Sequence, residues 1–130
     1  MAPKIFALLA FSIAATTVVA SCNSPESLLE SKSCLLGEYE KLEARLNYKY
    51  QEILKSLGKS ADGYYDTAEI RKAVISAQKT WLLFREKNCN IYVVLNKNGN
   101  NGSQEELQCK IEITKLRIQD LDNFNLDARS

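Results

Sequence analysis

The sequence LLGEYEKLEARLNYKYQEILKSL, residues 35–57, decides the fold class. Its large apolar side chains recur at steps of three and four residues, which places them along one face of an α-helix. These side chains are Leu35, Tyr39, Leu42, Leu46, Tyr50, Ile53 and Leu57. A helix that is apolar along one face buries that face against other elements. The stretch therefore predicts one amphipathic helix of a larger helical domain.

Two further segments show the helical period, and no segment alternates in the way that a strand does. The second begins with a capping box, Asp66 and Glu69, and its predicted inward face is Ile70, Val74, Ala77, Trp81 and Phe84. The third begins with a capping box at Ser103 and Glu106, and its predicted inward face is Leu107, Ile111, Thr114, Ile118 and Leu121. We expect helices over residues of about 25–57, 66–95 and 104–122. Short connections make successive helices antiparallel, so the sequence predicts an all-α, small three-helix (up-down-up) bundle.

The first 20 residues have the pattern of a secretory signal peptide. Lys4 supplies a positive charge, residues 5–19 carry no charge, and Ala20 offers a small residue for cleavage. The apolar run is too short to span a membrane. We therefore expect residues 21–130 to form a single helical domain that is periplasmic or secreted.

Four cysteines, an even number in a chain predicted to be exported, indicate a framework of two disulfides. Cys89 and Cys109 flank the Asn/Gly-rich residues 96–102, so an antiparallel hairpin brings them together. Cys22 then pairs with Cys34, provided that the chain near Cys22 folds back; a Cys34–Cys89 bond is the alternative. Residues 19–22 also resemble a lipoprotein cleavage site, and a lipid anchor at Cys22 would leave an odd number of thiols.

Charge and composition exclude several functions. Without Lys4 the chain carries 16 basic and 16 acidic residues, so it has no basic footprint for nucleic acid and no polybasic segment for a membrane. We expect contact with a membrane only if Cys22 is lipidated. It contains no histidine and no CxxC pair. We therefore expect no catalytic residue, no cofactor and no metal site, and a protein that is not an enzyme. Glu38, Glu40 and Glu43 are interpreted as a solvated helix face.

A combination of residues spread over the three helices resembles a known bacterial family. The matching positions are Leu46, Asn47, Tyr50, Gln78, Trp81, Arg85, Cys89, Cys109, Thr114, Arg117 and Leu121. Together they are similar to the LprI-type lysozyme-inhibitor domain, over about residues 22–121. The resemblance implies an exported helical domain that inhibits lysozyme-like muramidases.

Candidate residues for binding a partner lie in the two connections. Tyr64 and Tyr65 stand in the first, and Asn98, Asn100 and Asn101 stand in the second.

The motif residues have structural interpretations. Trp81 is expected in the core. Arg85 and Arg117 are expected to hold helix two against helix three through carbonyl groups, Glu86 and Asp120, the alternative being an anchor for a carboxylate of a partner.

The sequence thus predicts an exported protein-binding domain whose partner is another protein. With the resemblance, the first hypothesis is an inhibitor of a lysozyme-like, peptidoglycan-cleaving enzyme. A periplasmic immunity protein that neutralises a secreted antibacterial toxin, and an envelope accessory lipoprotein without an enzyme target, are the alternatives. The oligomeric state is not predicted.

Overall fold

The computed structural model describes Cys22, residues 28–58 and residues 66–124. Three helices cover nearly all of them, α1 Leu28–Leu57, α2 Thr67–Leu95 and α3 Gly102–Asp122. Pairs of contacts fix their directions. Arg71 and Arg85 of α2 meet Leu54 and Glu43 of α1, in reverse order, so α1 and α2 are antiparallel. Gln104 and Lys115 of α3 meet Ser31 and Glu38 of α1, in the same order, so α1 and α3 are parallel. The predicted all-α, up-down-up bundle is confirmed. We call the end that carries residues 96–101 the loop end.

α3 is the helix against which the other two pack. It makes extensive contact with both α1 and α2, whereas α1 and α2 contact each other much less. The main cluster of buried apolar side chains lies in the half of the bundle away from the loop end. Its buried members are Leu46, Ile53, Leu54, Leu57, Ile118 and Leu121. Half-buried side chains of α2, among them Val74 and Trp81, cover this cluster.

The predicted inward face of α2 is partly wrong. Phe84 is 53% exposed and Ala77 is exposed, whereas Gln78, Arg85 and Cys89 take the buried positions. These three residues lie on one face because they follow one another at steps of seven and four. The apolar pattern of α2 therefore does not predict its buried face, because two of the most buried residues on that face, Gln78 and Arg85, are polar.

The helix starts differ in how they are capped. The Asp66 carboxylate accepts hydrogen bonds from the backbone N–H groups of Ala68 and Glu69, both at 3.0 Å, as the sequence predicts. The capping box predicted at Ser103 is wrong, because α3 begins at Gly102. A Cβ atom on Gly102 would lie 3.0 Å from Cβ of Asn96 and 3.2 Å from Cα of Val93. The close packing of α3 against the end of α2 therefore leaves little room for a side chain at this position.

Both predicted disulfides are confirmed, Cys22–Cys34 and Cys89–Cys109. Their Cα atoms lie 5.8 Å and 5.6 Å apart, ordinary distances for such bonds. Both lie in the half of the bundle toward the loop end, where fewer apolar side chains are buried, Leu35 and Ile111 among them. Each is expected to contribute about 3 kcal/mol to stability.

The predicted signal, residues 1–20, lies outside the described residues. Within the described part of the chain, no helix combines the length and the apolar character needed to cross a membrane.

The core assignment predicts a contrast between two residues on α3. We expect Ile118→Ala, at a site 3% exposed, to lower the free energy of unfolding by about 2–4 kcal/mol through lost burial and a residual cavity. Leu116→Ala, at a site 61% exposed, is the control and should change it by less than about 0.5 kcal/mol. Urea unfolding followed by circular dichroism measures both, and equal effects would contradict the location of the core.

Candidate functional site

Arg85 is the centre of a buried polar cluster that joins the three helices. Its side chain is only 4% exposed. Both of its terminal nitrogens donate to the Glu43 carboxylate of α1, the Nη2–Oε2 distance being 3.2 Å. Nη1 also donates to Oγ1 of the buried Thr114 on α3, at 2.8 Å. One guanidinium from α2 therefore ties α1 and α3 together, in the forked geometry that arginine provides.

Aromatic rings cover the guanidinium groups of this cluster. The Trp81 ring centre lies 5.0 Å from Cζ of Arg85 and 5.8 Å from Cζ of Arg117, and the Tyr39 ring centre lies 5.4 Å from Cζ of Arg85. These distances allow cation–π attraction. Nε of Arg117 donates to Oε1 of the buried Gln78 at 3.1 Å. Gln78, not the predicted Asp120, is thus the observed partner of Arg117.

A chain of ion pairs continues from the cluster toward solvent. Glu86 accepts from Nη2 of Arg85 at 3.3 Å and from Nζ of Lys110 at 2.6 Å, and Lys110 also pairs with Glu106 at 3.1 Å. Burial opposes ionisation of these groups, but the opposite charges outweigh it. The pKa of Glu86 is accordingly lowered by Lys110 and Arg85, and the pKa of Lys110 is raised by Glu86 and Glu106.

The charge of Arg85 is balanced from within the molecule. Burial opposes its charged form, but the hydrogen bond and the charge of Glu43 outweigh this and raise the pKa of Arg85. Because the side chain is nearly inaccessible, the guanidinium is not presented to a partner.

The sequence predicts Glu86 as a side chain that pairs with Arg85, whereas it predicts that Glu43 lies on a solvated helix face. No local pattern distinguishes Glu43 from its neighbours, because its role depends on a residue 42 positions away.

A second feature, the loop-end surface, combines the last turns of α2 with the α2–α3 connection. Residues 91–95 (IYVVL) are all exposed, Val94 by 65% and Leu95 by 73%. Beside them, the predicted candidates Asn98, Asn100 and Asn101 are exposed as well. Such a run of exposed apolar residues makes this end of the bundle a candidate contact surface.

Hydrogen bonds hold the loop-end surface in place. Nδ2 of Asn96 donates to the carbonyl oxygen of Tyr92 at 3.0 Å and to Oε2 of Glu105 at 2.7 Å. The carbonyl oxygen of Asn96 accepts from N–H of Gly99 at 2.8 Å. The Cys89–Cys109 bond lies directly below, so the connection rests on a cross-linked pair of helices.

The other residues singled out by sequence fall into different surroundings. Leu46 is in the core, Tyr50 packs on it half-buried, and Asn47 is exposed. Tyr64 and Tyr65 lie outside the described residues. Among the described residues, no group of three or more potential ligands is placed to hold a metal ion.

Comparison with protein families decides the relationship of the chain. The sequence model of the family "Lysozyme inhibitor LprI" matches residues 20–121. The chain belongs to the LprI family. No curated protein and no solved structure matches it. At the level of the family, the LprI domain is an inhibitor that binds another protein, not a catalyst.

The cluster predicts a difference between two acids of α1. We expect Glu43→Ala to lower the free energy of unfolding by about 2 kcal/mol, because it leaves the buried Arg85 charge under-compensated. The loss stays below that of a fully buried pair because the Glu43 side chain is 37% exposed. Glu40→Ala, at an exposed site on the same helix, is the matched control. Urea titration of both variants tests this, and a loss as large in Glu40→Ala would refute it.

Proposed function

We propose that this LprI-family domain inhibits a lysozyme-like, peptidoglycan-cleaving enzyme by covering its cleft with the loop-end surface. The observation that carries the proposal is the exposed, uncharged run at residues 91–95 beside the Asn/Gly-rich connection. The family relationship supports an enzyme of this kind as the partner.

The mechanism is steric. Val94 and Leu95 supply apolar contact area, and Asn98, Asn100 and Asn101 supply amide groups that both donate and accept hydrogen bonds. The surface stands on helices cross-linked by Cys89–Cys109, so little conformational freedom is lost when it docks. Tyr64 and Tyr65 remain predicted contacts.

We also propose that the protein acts outside the cytoplasm, after removal of residues 1–20, without a lipid anchor. Proteins of the LprI family are typically extracytoplasmic. Sγ of Cys22 is bonded to Cys34, and a thioether-linked lipid would occupy that same sulfur.

Inhibition of peptidoglycan lysis tests the functional proposal. The exported chain should slow the clearing of a peptidoglycan suspension by a lysozyme, and should form a 1:1 complex with it in calorimetry. Leu95→Asp, which places a charge on the loop-end surface, is expected to weaken inhibition at least about ten-fold. Leu116→Asp is the control, since Leu116 is 61% exposed and lies on α3, about 20 Å along the helix from Gly102. Unchanged inhibition by Leu95→Asp, or no complex at all, would count against the proposal.

Intact-mass analysis of the naturally exported chain tests its processing. We expect a chain that starts after the signal, lacks free thiols and carries no adduct. A diacylglyceryl adduct at Cys22, with Cys34 free, would show instead that the protein is anchored to a membrane.

A further inference from the structure

The connection between α2 and α3 contains two Asn–Gly pairs, and the sequence has no others. They are Asn98–Gly99 and Asn101–Gly102. An asparagine that precedes glycine is the most prone to lose its side-chain amide, because glycine has no Cβ atom to hinder the attack of its backbone nitrogen on the asparagine side chain. The surroundings of each pair decide which of them reacts in the folded protein.

The reaction requires water and no other reactant. The glycine nitrogen loses its proton to base and bonds to Cγ of the asparagine, and the side-chain nitrogen takes up a proton and leaves as ammonia. Water then opens the five-membered succinimide at either carbonyl, which gives aspartate or isoaspartate. Ring closure requires rotation of the peptide between the two residues, so that the nitrogen approaches Cγ. A pair that cannot rotate keeps its amide.

The fold restrains the Asn101–Gly102 pair. Asn101 has a helical backbone, with φ −98° and ψ −10°. Its carbonyl oxygen accepts hydrogen bonds from the backbone N–H groups of Gln104 and Glu105, both at 3.0 Å. Gly102 is buried, and a Cβ atom there would lie 3.0 Å from Cβ of Asn96. Rotation of the Asn101–Gly102 peptide would break both hydrogen bonds and displace a closely packed residue, so ring closure is disfavoured.

The Asn98–Gly99 pair has fewer restraints. Both residues are exposed, and within the described part of the chain the Asn98 side chain makes no hydrogen bond. The backbone N–H of Gly99 donates to the carbonyl oxygen of Asn96 at 2.8 Å. This hydrogen bond opposes the reaction, but it lies in an exposed turn, where local opening is frequent. A Cβ atom on Gly99 would lie 3.7 Å from the same oxygen, so nothing packs tightly against this residue.

We propose that Asn98 is a site of spontaneous deamidation in the folded protein, whereas Asn101 keeps its amide. The product carries a carboxylate next to the uncharged residues 91–95. An amide that donates and accepts hydrogen bonds is thereby replaced by a charged group that only accepts them. Resting on the proposed function, deamidation weakens inhibition as the protein ages, because the new charge must be desolvated when the loop-end surface docks.

The test incubates the mature protein, with its disulfides intact, at mildly alkaline pH. Peptide mapping by mass spectrometry, with fragmentation between residues 98 and 101, measures the conversion of amide to acid at each. We expect Asn98 to react at least about ten-fold faster than Asn101. In the reduced chain unfolded in guanidinium chloride, the two should react at similar rates, because the restraint on Asn101 depends on the fold.

Two variants separate the pairs. Gly99→Ala should slow the loss of the Asn98 amide at least about ten-fold, and the space at Gly99 lets the fold accept the added Cβ atom. Asn101→Gln is the control and should leave the rate at Asn98 unchanged. An Asn98 amide that persists in the folded protein while the unfolded chain reacts would overturn the proposal. Equal rates at Asn98 and Asn101 in the folded protein would overturn it as well.

Lysozyme inhibition measures the consequence for binding. We expect Asn98→Asp to inhibit at least about ten-fold more weakly than Asn98→Gln, which keeps an amide. Equal inhibition by the two variants removes the effect on binding and leaves the deamidation site. If the freshly prepared protein does not inhibit at all, the proposed function fails, whereas the deamidation site is decided by the mass measurement alone.

Discussion

The ion pair between Arg85 and Glu43, completed by Thr114, is the interaction on which the arrangement of the three helices depends. A nearly inaccessible guanidinium is costly to desolvate, and the cost is offset only when its partners stand in place on α1 and α3. The pair therefore disfavours other registers of the helices, because they would leave the guanidinium unpaired. The main apolar cluster lies on one side of this pair, and the two disulfides lie on the other.

This division explains how so small a domain leaves a large apolar surface open. A larger apolar core at the loop end, beyond the buried Leu35 and Ile111, would consume residues 91–95, which are proposed to bind. Disulfides provide stability without using apolar side chains, because they act largely on the unfolded chain. The Cys22–Cys34 and Cys89–Cys109 bonds thus allow the loop-end half to remain folded while its apolar residues face outward.

The sequence predicted those features that depend on local pattern or on simple pairing. The spacing in residues 35–57, the cap at Asp66 and the even set of cysteines each lead to the observed structure. The sequence did not predict the features that depend on contacts between residues far apart in the chain. The role of Glu43 follows from Arg85 on another helix, and the lack of room for a side chain at Gly102 follows from Asn96 and Val93 at the end of α2. The exposure of the residues in the loop-end surface likewise depends on where α1 lies relative to α2.

The residues through which the chain resembles the LprI family mostly build the inside of the bundle. Gln78, Trp81, Arg85, Thr114 and Arg117 contact one another in the polar cluster or lie next to it. The positions proposed to contact an enzyme, in the loop-end surface, stand outside this set. Under the proposed function, a change in the cluster reaches binding only through the positions of the helices, whereas a change at Leu95 acts directly on the contact. The residues shared with the family therefore account for the arrangement of the helices, and we propose that the choice of partner rests on exposed residues outside this set.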